Sequence, residues 1–182
     1  VGGLADQAAL LFANWGGCTT NGPDQFSSGL NWAVSNGARV ISRSEGWPPP
    51  WESLDDGMQT SRDFLVDYTI ARSPYPFVAE STGNDAGYPS ANVLRNGMVV
   101  GGGNETNGCS RSGVVFANTS WANPNPGASF KGFEVPHIVA IAANVDTAAK
   151  ESGYVVQTGG SSAAAAQVAA TVASLHEANS AL

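Results

Sequence analysis

Two adjacent serines, Ser161 and Ser162, follow Gly159-Gly160 and lead into the run Ala163 to Ala166. Gly-Gly-Ser-Ser reads as a turn and the alanine-rich run as a helix. A serine hydroxyl at such a junction has two uses. It can cap the free N–H groups of the first helical turn. It can also be a nucleophile, because the positive end of a helix stabilises the oxyanion formed when the hydroxyl attacks a carbonyl. On this motif alone the capping role is the favoured one. The other familiar serine signature, G-x-S-x-G, occurs nowhere in the chain.

A serine nucleophile needs a base beside it. The chain has two histidines, His137 and His176. His176 lies on the same predicted helix as Ser162, roughly 21 Å further along its axis, too far to take the serine proton. It suits the helix C-terminus, where the dipole favours a cation. His137 follows Pro136 at the start of a predicted strand, and for it a structural role is expected.

Other reactive groups are sparse. Cys18 and Cys109 read equally well as one disulfide or as two separate thiols, because spacing carries no information on proximity. No C-x-x-C, H-E-x-x-H or EF-hand pattern is present, so no metal ligands are assigned. Asp55, Asp56 and Asp63 read as exposed helix carboxylates. The segment Gly101 to Gly108 is glycine-rich but lacks the Lys-Ser/Thr of a phosphate loop and reads as a turn. Asn104 and Asn118 begin N-x-S/T sequons.

The elements that must position these groups alternate in type. Ala8 to Trp15 is a short apolar run expected as a strand buried on both faces. Phe26, Leu30, Ala33 and Val34 share one helical face, with Asp24 as the expected N-cap and Gly37 as the stop. Trp32 falls close to that face. Arg39 to Ser44 reads as a strand. Pro48 to Pro50 force a loop, and the flanking Trp47 and Trp51 read as surface residues. A helical pattern follows through Met58, Phe64, Leu65 and Tyr68. Pro76 to Thr82 is a strand ending in the turn cluster Gly83 to Pro89. Gly97 to Gly103 and His137 to Val145 are further strands, with a loop-rich stretch between them. The last helix carries Val168, Val172 and Leu175 on its expected buried face. Strands alternating with helices predict an α/β domain with a three-layer arrangement, a mainly parallel twisted sheet and helices on both faces. No linker or repeat divides it, so residues 1–182 read as one domain.

The 182 residues suffice for one sizeable core, and 22 glycines point to close, small-residue contacts. A formal net charge of −7 argues against nucleic acid or an anionic membrane as partner. No apolar run is long enough to span a bilayer. Few lysines, many Ser, Thr, Asn and Gly, and five tryptophans fit a secreted or extracellular protein.

Several of these stretches, in this order, resemble the subtilisin-like serine peptidases. Gly160 to Ala169, "GSSAAAAQVA", is similar to the family's nucleophile motif, with Ser162 at the nucleophile position. Phe77 to Asp85, "FVAESTGND", resembles the strand and turn that carry the oxyanion asparagine, here Asn84. Gly87-Tyr88-Pro89 resembles the turn that floors the primary specificity pocket. Gly29 to Gly46 resembles a helix, a strand and a pocket-lining segment, with Ser44, Glu45 and Gly46 along the substrate. Val1 to Trp15 resembles the segment that follows the family's catalytic-histidine helix. The likeness covers nearly the whole chain.

The resemblance implies a serine endopeptidase acting on a peptide or protein substrate through an acyl-enzyme on Ser162, with Asn84 and the Ser162 N–H holding the oxyanion. It implies substrate contacts from Ser44, Glu45, Gly46, Glu80, Ser81, Gly83 and Gly87. No cofactor is required, although subtilases often bind structural calcium. The family's D-S/T-G and H-G-T-H motifs are absent from these residues. The chain is therefore expected to be the C-terminal two-thirds of a catalytic domain, inactive alone. It should associate with an N-terminal fragment as a second chain, or with itself, because the strand carrying the family's Asp lies inside the sheet. Ala166 stands where the family has proline, Ser161 where it has threonine, and Glu80 and Ser81 where the pocket wall is small and apolar. Glu45 and Glu80 around one pocket would select a basic side chain, or be solvated at its rim. These departures also admit an inert subtilase-fold module that binds a peptide or protein.

Overall fold

The structure is a computed structural model describing residues 4–5, 7–11, 23–44, 61–72, 75–84, 94–105, 114–116, 136–148 and 155–179. Cys18, Glu45, Gly46, Trp47, Trp51, Asp55, Asp56, Gly87 and Cys109 lie outside the described residues.

Helix α1 is Pro23–Ser35. Proline opens it because the first helical position needs no N–H donor, so Asp24 stands within the first turn and is not the N-cap. Gly37 closes it with φ 85°, a left-handed conformation that costs glycine nothing. Leu30 is buried, but Trp32 is 45% exposed and points away from the core, contrary to expectation.

Strand β1, Val40–Arg43, leads to helix α2, Ser61–Arg72. The inward face of α2 carries Val66 and Ile70 together with Asp63, Asp67 and Thr69, while Phe64 and Tyr68 are exposed. The sequence pattern placed the aromatics inward and Asp63 in solvent. The face is rotated because its polar groups are bonded where they sit. Both Asp67 carboxylate oxygens accept the Arg95 N–H, and Oδ1 also accepts that of Asn96. The Thr69 hydroxyl donates to the Leu65 carbonyl. A buried polar group that is satisfied costs little, so binary patterning loses its authority here.

The remaining elements are β2 Phe77–Ser81, β3 Met98–Glu105, β4 Val114–Phe116, β5 Ile138–Ile141, β6 Val145–Ala148, β7 Val155–Thr158 and α3 Ser161–Ala178. Strands β1, β2, β3 and β5 are parallel neighbours, and β4 joins β3 antiparallel. The single strand expected over His137 to Val145 is broken after Ile141, with Asn144 at φ 53°. The chain then forms the antiparallel pair β6–β7, which delivers it to Gly159.

Helices flank the sheet in three layers, as the alternation predicted. On one face Leu30, Val66 and Ile70 meet Val78, Leu94 and Val99. On the other, Ala164, Ala165, Val168 and Ala169 of α3 meet Ala79 and Val100. Gly101, Gly102 and Gly103 are buried in β3, and small residues on both sides let the helix lie close to the strand. The inward stripe of α3 fades toward its end, since Val172 is half-buried and Leu175 is 53% exposed. Of the buried strand expected over Ala8 to Trp15, residues 8–11 form no strand and Leu10 and Leu11 are exposed, while residues 12–15 lie outside the described residues. Among the described residues no strand pairs with the outer edge of β1.

Candidate active site

Helix α3 begins at Ser161, and its N-cap is Gly160, which makes no side-chain cap bond. Neither serine is therefore the cap. Gly160 has φ 85° and donates its N–H to the Ala142 carbonyl at 2.6 Å. A Cβ on Gly159 would lie 2.5 Å from that same carbonyl oxygen. The two glycines thus let the helix start press against the end of β5.

Ser161 is fully buried, and every polar atom of its side chain and N–H faces the loop after β2. Its N–H donates to Asn84 Oδ1 at 2.8 Å. Its hydroxyl lies 2.9 Å from Asn84 Oδ1, 2.9 Å from the Gly83 carbonyl, and accepts the Gly83 N–H at 3.1 Å. A backbone N–H can only donate, so the amide end facing Ser161 must be the oxygen. Asn84 Nδ2 is thereby turned away as the donor end, and it has no partner among the described residues. Gly160 completes the cradle, because a Cβ there would meet Asn84 Oδ1 at 2.7 Å.

Ser162 follows immediately, half-buried in the first turn of α3. Its N–H is one of the N-terminal donors that have no partner inside the helix. Its hydroxyl has no partner among the described residues. Its carbonyl accepts the Ser44 hydroxyl at 3.1 Å, which ties the end of β1 to the same turn. Ser44, Gly83, Asn84 and Ser162, from three separate stretches, therefore lie at the ends of β1 and β2 and the start of α3. The contacts that bring them together are Ser44 to the Ser162 carbonyl and Ser161 to Gly83 and Asn84.

Over the whole of residues 1–182 the sequence matches the model of the subtilase family. The chain belongs to the subtilase family. Solved structures similar in fold include a psychrophilic protease, S41 (18% identity, TM-score 0.63, 91% of this chain and 53% of that one). Sphericase is another (19% identity, TM-score 0.59, 87% and 51%). The prenylagaramide maturation protease PagA is a third (17% identity, TM-score 0.60, 88% and 52%). The chain spans about half the length of these proteases. No curated protein sequence matches it.

Within this subtilase domain the remaining candidate residues are placed as follows. Ser81 is buried at the end of β2. Glu80 is not at a solvated rim and does not offer an open charge to a substrate cation. It is fully buried, and Oε2 lies 2.5 Å from Nη1 of Arg43, directly across the β1–β2 ladder. The carboxylate is already matched by an internal guanidinium. Glu45, Gly46, Gly87 and the cysteines fall outside the described residues. Among the described residues no group of His, Cys, Asp and Glu gathers in a way that could hold a metal ion, and no helix is long and apolar enough to cross a membrane.

His137 is bonded on another element, and His176 lies far along α3 from Ser162. His137 Nδ1 accepts the Val99 N–H at 3.0 Å. Burial lowers its pKa, and the nearby Asp67 charge opposes that shift. Val99 and Asp67 belong to the α1–α2 side of the sheet, whereas Ser162 belongs to α3. His176 lies in the last turn of the same unbroken helix as Ser162, as expected. Sequence reasoning missed Ser161 as a working residue. The available signal was the first serine of the pair, which stands where the family has threonine.

Proposed function

We propose that this subtilase domain is the serine- and asparagine-bearing part of a subtilisin-type serine endopeptidase. Ser162 Oγ attacks the scissile carbonyl carbon, and its proton passes to a histidine supplied by the rest of the full-length protein, with an aspartate orienting that histidine. The oxyanion is held by the Ser162 N–H and Asn84 Nδ2. Collapse of the tetrahedral intermediate expels the amine and leaves an acyl-enzyme on Ser162, which water then hydrolyses. Ser44 and Gly83 border the cleft, where an extended peptide would pair with backbone edges. A segment preceding this chain would complete the sheet at the outer edge of β1. Secretion fits the composition.

The observation that carries this reading is the lock on Asn84. Ser161 takes up the amide oxygen with two donors, so the N–H₂ end is left over as the donor, and among the described residues the hydroxyl of the next residue, Ser162, has no partner. Preorganised donors of this kind are the main source of stabilisation in acyl transfer. The test is labelling of the full-length protein with a fluorophosphonate. Ser162 should be modified in the wild type and not in Ser162→Ala. Absence of labelling would instead favour an inert peptide-binding subtilase module.

A further inference from the structure

The ion pair between Arg43 and Glu80 is not among the groups that carry the proposed chemistry, yet it occupies the last rung of the β1–β2 pairing, where β1 ends and β2 has one residue left, Ser81, paired with β3. Arg43 is 7% exposed and Glu80 is fully buried. Two charges are costly to bury, and similarly shaped apolar residues often hold a core equally well or better. What an ion pair adds is direction. A guanidinium and a carboxylate fix the separation and relative twist of the strands that carry them, whereas apolar contacts slide. Here the residue after Arg43 is Ser44, bonded to the Ser162 carbonyl. Three residues after Glu80 comes Gly83, bonded through its N–H to Ser161, and then Asn84.

We propose that Arg43 and Glu80 are positioning residues that set the two strand ends against the start of α3, so that Asn84 and Ser162 face one reacting carbonyl. This rests on the proposed peptidase reading only for its effect on chemistry. The geometry it asserts has its own readout.

The experiment compares the full-length wild-type protein with the double variant Arg43→Met/Glu80→Leu, which removes both charges without stranding either. Thermal unfolding, amide hydrogen exchange at Gly83 and Ser161, and fluorophosphonate labelling are measured on each. At an unchanged melting temperature, the Gly83 and Ser161 amides should exchange about tenfold faster while Val78 and Val100 in the sheet do not change. Labelling should slow by about 10-fold or more, as small misplacements at a reacting centre do. Unchanged exchange and labelling in a stably folded double variant would overturn the proposal. If the double variant does not fold, Glu80→Gln decides the matter, because the amide keeps the shape of the carboxylate but removes the charge facing Arg43. Faster exchange at Gly83 and Ser161 would support the proposal, and wild-type exchange there would refute it. Failure of the wild type to label would remove the peptidase reading alone, since the exchange data would still judge the pair.

Discussion

Asn84 Oδ1 receives both the N–H and the hydroxyl of Ser161, at 2.8 and 2.9 Å, although 77 residues separate them. The bond pair converts a freely rotating surface amide into an oriented donor. It also joins the loop after β2 to the first turn of α3, which carries Ser162, the proposed nucleophile.

Asn84→Ala should reduce fluorophosphonate labelling of Ser162 and peptide turnover by about 10²–10³, the usual cost of one oxyanion donor. Ser161→Ala should lose less, on the order of tenfold, because it acts through Asn84. The double variant should be no slower than Asn84→Ala alone, and Ser161→Thr should retain activity. Additive losses in the double variant would mean that the two residues act separately.

Gly160→Ala should both strain the backbone and displace the amide. Its φ of 85° disfavours any side chain, and the new methyl would overlap Asn84 Oδ1. A stability loss of about 1–2 kcal/mol is expected from the left-handed position. Labelling should fall further than that loss explains, which denaturation curves and labelling rates on one preparation would reveal.

Asp67 organises the turn that starts β3. It accepts the N–H groups of Arg95 and Asn96, and the Asn96 side chain donates back to the Asp67 carbonyl at 3.2 Å. Asp67→Ala strands these donors and should cost about 1–3 kcal/mol. Asp67→Asn, which keeps an acceptor oxygen, should cost less. Urea denaturation midpoints at constant slope would rank the two.

His137 should make stability depend on pH. Burial lowers its folded pKa below the ordinary value of 6.5, and its Nδ1 must stay unprotonated to accept the Val99 N–H. The unfolded chain therefore binds more protons in the window just below pH 6.5. Its contribution is fully present above that value and is lost as pH falls toward the folded pKa. Melting temperature should drop across this window in the wild type. In His137→Asn, whose amide oxygen cannot take up that proton, the drop should be smaller. Equal pH profiles for the two proteins would exclude His137 as the source.

The alternation of apolar strands with helices, the Gly-Gly turn before the alanine run and the Gly83-Asn84 turn were all legible in the chain. Each is a local preference, and local preferences survive folding when tertiary contacts agree with them. They sufficed for the three-layer class. The inward face of α2, the burial of Glu80, the break after Ile141 and the exposure of Trp32 were decided by tertiary structure. In α2 a carboxylate found backbone donors on another element, and in β2 a carboxylate found Arg43 across the ladder. Partners so distant in sequence leave no periodic trace. The work of Ser161 was hidden for the same reason, because a hydroxyl becomes an orienting group only when a loop 77 residues earlier is folded against it.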